Sequence, residues 1–553
     1  MNGNQPGPRR YSWAAALVGL VAGAVALGVG ELVAGFVSPK ASPVIVVGDA
    51  AVDYTPAAVK DWAIRTFGAS DKLVLIGGIV VVLALVAAGV GMLARDRPRA
   101  ATAALMALGL LGVAAAVTRP DSGPLDLLPS LLGAAVGAWT LRALTRRAWR
   151  AAGHDDVRTS PGPSPVRDAP EGATAMDAPA GAGAERPAVM RSGRELYEVD
   201  RRGLLTGVVA GVVVAGATGL AGRGLAEGMS VDTERAAVAL PKPAVPARPL
   251  PAGVDLRLTG LSPFSTPNRD FYRVDTALVV PQVDPRTWTL KIHGLVDRPV
   301  ELTFADLLRR PLTEADVTLT CVSNDVGGPY VGNARWLGAR LADLLREAGI
   351  RSGADMLLST SSDGWTCGTP VDIVMDGRDA LLAIAMNGEA LPVSHGFPAR
   401  QVVPGLYGYV SATKWVTDIK VTRYDQDEAY WTSRGWAAKG PIKTESRIDL
   451  PRGGTTIKAG RTAIAGVAWA QHRGVDAVEV RVDKGPWLRA RLAEVPGPDT
   501  WRQWVLDDWQ ATPGRHTIEV RATDATGYTQ TSAYAPPAPD GASGWHSILV
   551  VVE

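Results

Sequence analysis

Five long apolar segments constrain the fold of this chain more than any other feature of its 553 residues. Four of them lie near 12–36, 73–94, 101–118 and 125–144, and a fifth lies at 204–222. A transmembrane helix needs about 20 predominantly apolar residues, and each segment approaches or exceeds that length. The sequence therefore predicts an N-terminal bundle of four transmembrane helices within residues 1–150 and a fifth span later in the chain.

Basic residues indicate which way this bundle points. Arginines precede the first segment, separate the second from the third and follow the fourth: Arg9, Arg10, Arg95, Arg97, Arg99, Arg142, Arg146, Arg147 and Arg150. By the positive-inside rule the N-terminus is cytoplasmic, and the loops 37–72 and 119–124 lie outside. Glu31 is the one acid well within a span, and we place it at the outer boundary. The small residues around it predict close helix packing.

The fifth span follows a segment of different composition. Residues 151–200 are rich in Pro, Ala, Gly and Asp, which predicts a disordered cytoplasmic linker. Arg201 and Arg202 then precede the apolar run within 201–224, an arrangement typical of a twin-arginine export signal. The alternative is that both arginines only anchor the helix at the inner face. Both interpretations predict a multi-pass protein of the cell membrane whose C-terminal half is extracytoplasmic.

The C-terminal half reads as two domains behind a Pro-rich connection at 225–253. Residues 254–425 alternate strand-like runs with helical ones, such as TWTLKIHGLV and LADLLREAGI, which indicates an α+β domain. From 440 to 553 the runs are short and strand-like, with an Asp-Lys-Gly turn between two of them. This pattern predicts an all-β immunoglobulin-like sandwich.

Charge, cysteine and histidine usage exclude several classes of protein. A net charge of +2 without a clustered basic face gives no argument for a nucleic-acid partner. Two cysteines, Cys321 and Cys367, cannot form a disulfide framework, and neither has the close partners of a zinc or iron–sulfur site. None of the six histidines lies in an apolar segment, which excludes bis-histidine haem ligation there.

Four motifs of the α+β domain carry residues suited to a cofactor. Cys321 stands in TLTCVSNDVGGPY, where a strand gives way to a turn, and a small buried hydrophobe is its alternative reading. The others are NRDFYR from Asn268, SHGFPAR from Ser394 and PGLYGYVSATKW from Pro404. Glycines there let the backbone approach a ligand, and His395, Arg400 and Lys414 supply donors for an anion such as phosphate. A thiolate suits a soft or high-valent metal.

In this order, and ahead of an immunoglobulin-like domain, these motifs resemble the sulfite oxidase family of molybdopterin enzymes over about residues 255–553. The resemblance implies a molybdenum ion held by one molybdopterin and by the Cys321 thiolate, with Cys321 and Tyr407 as catalytic residues. It further implies a set of cofactor-binding residues: Asn268, Tyr272, Arg273, Thr360, His395, Arg400, Ser411 and Lys414. The C-terminal sandwich resembles the family's dimerisation domain, so a homodimer is implied.

The implied activity is oxygen-atom transfer at sulfur, with electrons passed to a separate carrier. The sequence departs from usual sulfite oxidases, since Asp325-Val326 and Tyr409-Val410-Ser411 stand where arginines are expected. Sulfite would then bind weakly unless Arg273 or Arg335 compensates. A methionine sulfoxide reductase, and a metal-free cell-surface binding protein that reuses the fold, are the alternatives. Cys367 is expected to be structural.

Overall fold

The computed structural model describes residues 12–56, 59, 62–63, 66–67, 71–119, 122–151, 197–199 and 201–553. Arg9, Arg10 and most of the predicted linker at 151–200 lie outside the described residues. The described residues divide into two compact units. The first unit holds the chain up to Val47, Leu73–Ala116 and Leu125–Leu225, and the second holds Gly48–Lys72, Val117–Pro124 and Ala226–Glu553.

The described residues up to 228 are mainly helical. Their helices are α1 (Ser12–Val37), α2 (Pro43–Tyr54), α3 (Asp71–Asp96), α4 (Pro98–Val117), α5 (Leu128–Ala148) and α6 (Arg201–Gly228), and β1 (Trp149–Ala151) pairs antiparallel with β2 (Tyr197–Val199). Of these helices α1, α3, α4, α5 and α6 are long and apolar enough to cross a membrane. Each of the five apolar segments predicted from the sequence thus forms such a helix.

Small residues bring helices of the first unit into backbone contact. A Cβ added at Gly19 of α1 would lie 2.0 Å from the carbonyl oxygen of Ala87, and one at Gly91 of α3 would lie 2.2 Å from that of Ala15. Only glycine allows so close an approach, as in other helix pairs packed through small residues. The Glu31 carboxylate accepts a hydrogen bond from the Ser42 hydroxyl, which lies beyond the end of α1.

The α+β part of the second unit contains two five-stranded sheets. Its strands are β3 (Thr289–Gly294), β4 (Val300–Thr303), β5 (Leu312–Thr320), β6 (Val331–Arg340), β7 (Met356–Ser361), β8 (Thr366–Pro370), β9 (Leu381–Met386), β10 (Glu389–Ala390), β11 (Arg400–Val402) and β12 (Val416–Thr422). One sheet has the order β10-β9-β6-β5 with β11 also on β9, and the other has the order β4-β3-β12-β7-β8. Only the β3–β12 pair is parallel among these strands.

Short helices cover these sheets: α7 (Asp232–Ala236), α8 (Phe304–Arg309), α9 (Leu341–Ala348) and α10 (Val371–Met375). A capping box of Thr303 and Asp306 begins α8. Gly349, in the left-handed region at φ 72°, ends α9, where glycine is favoured because it has no Cβ to clash. The apolar face of α9 buries Leu341, Leu344 and Leu345 in the main core.

The C-terminal part is a two-layer β-sandwich. Its strands are β13 (Glu445–Leu450), β14 (Thr456–Ile457), β15 (Gly460–Trp469), β16 (Val475–Val482), β17 (Leu488–Arg489), β18 (Arg491–Leu492), β19 (Arg502–Ala511), β20 (Gly514–Asp524) and β21 (His546–Val552). The sheets β13-β15-β19-β18 and β14-β21-β20-β16-β17 share one core. The predicted turn is present, since Asp483 and Lys484 both have positive φ. The immunoglobulin-like assignment stays a prediction.

The Pro-rich connection is not a free tether. The amide of Ala244 donates to the carbonyl of Leu312, and the amide of Glu314 donates to the carbonyl of Val245, each at 2.8 Å. The connection therefore pairs locally with the edge strand β5, which ends at the residue before Cys321.

Candidate functional site

Cys321 lies at the first turn after β5. Its amide donates to the carbonyl of Tyr330 at 2.9 Å, and the Tyr330 amide donates to the side-chain oxygen of Asn324 at 2.8 Å. These bonds close the turn that the motif TLTCVSNDVGGPY predicts after the strand. The thiol is free, and its side chain is buried, with 9% of the residue exposed. Burial raises the pKa of Cys321, while hydrogen bonds from Ser323 and the Lys414 charge act in the opposite direction.

Aromatic side chains adjoin this loop. Phe271 and Tyr272 stack with their ring centroids 5.3 Å apart, and Tyr272 also contacts the ring of Tyr330 at 6.3 Å. Burial raises the pKa of Tyr272, the Cys321 thiol adds to the rise, and Arg400 opposes it. Tyr272 therefore stays a neutral hydroxyl between the thiol and a guanidinium group.

His395 ends a short turn and is neutral. Its Nε2 lies 3.2 Å from the backbone oxygen of Asn268, and because that oxygen can only accept, Nε2 carries the proton. Burial and then the charges of Arg400 and Lys414 lower the pKa of His395 to about 4. The sequence suggested His395 as a donor to an anion. Its donor is already engaged, so the ring offers Nδ1 as an acceptor.

Gly396 brings three of the predicted residues together. It has φ 109°, and a Cβ there would lie 3.0 Å from the Cβ of Arg400 and 3.1 Å from the Cα of Lys414. A side chain would push these segments apart. The glycine after His395 thus allows the protein backbone, rather than only a ligand, to approach closely.

Arg400 is a buried cation, and within the described residues its hydrogen-bond partners are backbone carbonyls rather than carboxylates. Its two terminal nitrogens donate to the carbonyls of His395 and Ala412, and its guanidinium carbon lies 5.0 Å from the ring centroid of Trp336. Its Nε is buried with no hydrogen-bond partner. Burial lowers the pKa of Arg400 to about 10, so it is charged at neutral pH.

A second group of cations surrounds Asp275. Its Oδ2 accepts from Lys414 Nζ at 2.6 Å and from Arg273 Nε at 2.8 Å. Its Oδ1 accepts from Lys72 Nζ at 2.7 Å, and Lys72 belongs to the same compact unit. Although burial alone would raise the pKa of Asp275, the Lys414 charge and the Arg273 hydrogen bond hold it well below its usual range. Three cations thus share one carboxylate.

The remaining predicted site residues have structural contacts. The Asn268 side chain donates to the carbonyl of Met386 and accepts from Asn387. Ser411 donates to the carbonyls of Leu406 and Tyr407, each at 3.0 Å. Thr360 lies in β7, paired with Asp418 and Thr366.

The predicted catalytic Tyr407 is also buried. Its hydroxyl accepts from the Lys443 amide at 3.4 Å, and a Cβ at Gly541 would meet that hydroxyl at 2.5 Å. Burial raises the pKa of Tyr407 well above its usual value, and the nearby Glu445 adds to this rise. Its catalytic role stays a prediction.

Cys367 and Arg335, which the sequence analysis also considered, both contact neighbouring side chains. Cys367 in β8 is a free, buried thiol whose Sγ lies 3.7 Å from the Thr369 hydroxyl. Arg335 is paired with Asp316 through two hydrogen bonds of 3.0 and 2.8 Å. Arg335 is therefore already paired with a carboxylate, whereas Arg273 shares Asp275 with two lysines.

These contacts fit a molybdopterin bound through a thiolate and a phosphate. The buried Nε of Arg400 lacks a partner, and the cations around Asp275 exceed the charge of that carboxylate. A phosphate group carries about two negative charges at neutral pH and would balance such an excess. The same cations act on the residues near the thiol, since the Arg400 charge lowers the pKa of Tyr272 and the Lys414 charge lowers that of Cys321.

Sequence reasoning missed Asp275, Lys72 and Trp336 as parts of this site. Asp275 stands two residues after Arg273, and an acid so near a predicted cofactor-binding arginine was an available signal. Lys72 precedes an apolar segment far earlier in the chain, and nothing in the sequence links it to Asp275. Trp336 lies in β6, and the sequence alone predicts a tryptophan in a strand to be a core residue.

The chain is similar to known molybdopterin oxidoreductases. The family model described as oxidoreductase molybdopterin binding domain matches residues 277–431. The mitochondrial sulfite oxidase of Rattus norvegicus is 32% identical over 290 residues, which cover 44% of this chain and 53% of that protein. The oxidoreductase YuiH of Bacillus subtilis (strain 168) is 35% identical over 157 residues, which cover 28% of this chain and 76% of that protein.

Among solved structures, the sulfane dehydrogenase SoxCD of Paracoccus pantotrophus matches 53% of this chain and 84% of its own, with 27% identity and a TM-score of 0.46. The chain spans about half the length of the mitochondrial sulfite oxidases that it matches.

Proposed function

Because this chain belongs to the sulfite oxidase family of molybdopterin-dependent oxidoreductases, we propose that it is a membrane-anchored molybdenum enzyme acting on a small sulfur compound. The free, buried thiol of Cys321 beside a cluster of cations is the observation that carries this proposal. The five apolar helices support the membrane anchor.

Each residue of the site has a role in this proposal. When bound, the molybdenum–molybdopterin supplies oxygen-atom transfer and two-electron exchange. The Cys321 thiolate is the protein's ligand to the metal, and coordination requires the thiol to release its proton. Arg400 and Lys414 donate to the cofactor's anionic end. The neutral His395 would offer Nδ1 to the cofactor as a hydrogen-bond acceptor.

The charges around the site bear on the substrate. Arg273 and Arg335, which would have to compensate for the missing sulfite-binding arginines, are each paired with a carboxylate. Asp325, exposed in the Cys321 loop, adds a negative charge. The pairing of Arg335 with Asp316 and the negative charge of Asp325 disfavour a dianion such as sulfite beside the Cys321 loop, whereas we assign the excess positive charge around Asp275 to the cofactor phosphate. The charge beside the loop supports a second candidate activity, the reduction of an uncharged sulfoxide such as methionine sulfoxide.

The cellular setting is part of the proposal. The arginine pattern favours a cytoplasmic N-terminus and an extracytoplasmic catalytic half, and Arg201-Arg202 favours twin-arginine export. Electrons pass to a separate carrier, a cytochrome or a membrane partner. The C-terminal sandwich at 440–553 forms a homodimer, and the catalytic domain occupies 254–425. Reporter fusions at both termini test the topology, and a cytoplasmic signal from the C-terminal fusion would contradict it.

Metal and pterin analysis tests the enzyme assignment. The full chain, purified in detergent, is expected to carry about one molybdenum and one pterin per chain. Cys321→Ala is expected to lose metal or metal-dependent turnover, whereas Cys367→Ala, which removes the other buried thiol, should retain both. A wild-type protein with no molybdenum from a host that makes the cofactor would instead favour a metal-free cell-surface binding protein.

Steady-state assays separate the two candidate activities. Sulfite oxidation and methionine sulfoxide reduction are measured with the same preparation and an artificial electron carrier. Substituting Asp325 by Asn removes a negative charge near the loop, and it should raise kcat/KM for sulfite more than for the sulfoxide. Turnover with neither compound would refute both substrates.

A further inference from the structure

Asp275 contacts more positive charge than it balances. Both of its oxygens accept hydrogen bonds, Oδ2 from Lys414 and Arg273 and Oδ1 from Lys72 and Arg273. Its side chain is only 5% exposed. A carboxylate buried in this way fixes the positions of its partners, because each of them loses an ion pair if it moves away.

The charge of Lys414 depends on this carboxylate. Burial lowers the pKa of Lys414 to about 8, the contact with Asp275 opposes this, and the charges of Arg400 and Arg273 lower it further. The neutral His395 and the Cys321 thiol also feel the Lys414 charge. The ammonium lies 4.7 Å from the ring centroid of Trp415. Among the charged groups of the described residues that act most strongly on Lys414, Asp275 favours its protonated form and the two arginines oppose it.

We propose that Asp275 is a positioning residue of the cofactor's anion site, which holds the Lys414 ammonium beside the Arg273 guanidinium so that both can contact a phosphate. This inference rests on the proposed function, since it presupposes that molybdopterin binds here. Three cations and one carboxylate leave two positive charges in excess, which matches a phosphate dianion. Without Asp275 the lysine would become a neutral amine at a lower pH, and the site would lose a charge that attracts the phosphate.

The test measures how much pterin the protein retains as the pH rises. The full chain is purified from a host that makes molybdopterin, as wild type, Asp275→Asn, Lys414→Arg and the double variant. Each is equilibrated between pH 6 and 10, and retained pterin is measured by fluorescence after release and oxidation. Molybdenum content and the melting temperature are recorded for the same samples.

We expect wild type to lose pterin with a midpoint at or above about pH 8, as Lys414 loses its proton. Asp275→Asn should shift this midpoint down by about one pH unit or more. Lys414→Arg and the double variant should show no midpoint in this range, because a guanidinium group stays charged.

Two results would overturn the inference alone. The first is a midpoint in Asp275→Asn equal to that of wild type. The second is a loss of pterin from Asp275→Asn at every pH that is not restored when Lys414→Arg is added in the double variant. The second result would assign Asp275 a role in folding only. A wild-type chain that holds no pterin would overturn the proposed function as well, so the two failures are distinguishable.

Discussion

Gly396 offers a prediction whose size follows from the structure. Alanine at φ 109° carries backbone strain of about 1–2 kcal/mol. Its Cβ would lie 3.0 Å from the Cβ of Arg400 and 3.1 Å from the Cα and Cβ of Lys414. Relieving such overpacking costs about 1–3 kcal/mol more. Gly396→Ala should therefore lower the free energy of unfolding by about 2–5 kcal/mol and separate two cofactor-binding residues.

A matched control isolates the crowding from the strain. Gly377 has φ 101°, and a Cβ there would meet nothing within 4 Å. Gly377→Ala should cost only the backbone strain of about 1–2 kcal/mol and retain wild-type pterin content. Both variants are compared by denaturant unfolding of the detergent-solubilised chain and by pterin content. Equal losses of stability with pterin retained in both would refute the idea that Gly396 is needed for close approach.

Three further predictions concern charge. Lys72→Met removes one cation from Asp275 and should lower pterin retention severalfold, whereas Lys72→Arg should preserve it; equal pterin content in both would contradict a role for the charge. Burial raises the pKa of Glu445 to about 8, above its unfolded value. The free energy of unfolding should therefore fall as the pH rises from about 4.5 to about 8. Glu445→Gln should abolish this dependence when the melting temperature is measured against pH. The folded pKa of His395, about 4, lies below its unfolded value, so its contribution to stability is lost as the pH falls from about 6.5 to about 4; His395→Gln should flatten this part of the melting curve.

The sequence predicts the elements whose signals are local. An apolar run of about 20 residues identifies each long helix without any tertiary information. The strand β3 and the helix α9 lie within the runs TWTLKIHGLV and LADLLREAGI, because alternation and 3.6-residue periodicity reflect which face is buried. Cys321 was likewise found from its place after a strand.

Other parts of the site depend on contacts that the sequence does not encode locally. The pairing of the Pro-rich connection with β5 was not predicted, because prolines disfavour a strand. The amides of Ala244 and Val245, which lie between the prolines, nevertheless donate hydrogen bonds to β5. The acceptor role of His395 follows from the backbone oxygen of Asn268, which no pattern reveals. Lys72 reaches Asp275 only through the folded chain.

The grouping of residues 48–72 with the second unit bears on how this protein can be studied. A soluble fragment beginning near Ala226 would omit Lys72 and its bond to Asp275. It would also omit Asp53, which accepts from the Tyr430 hydroxyl at 2.8 Å. Weak cofactor loading in such a fragment would then reflect the loss of Lys72, a hydrogen-bond donor to Asp275, rather than a defect of the oxidoreductase domain itself.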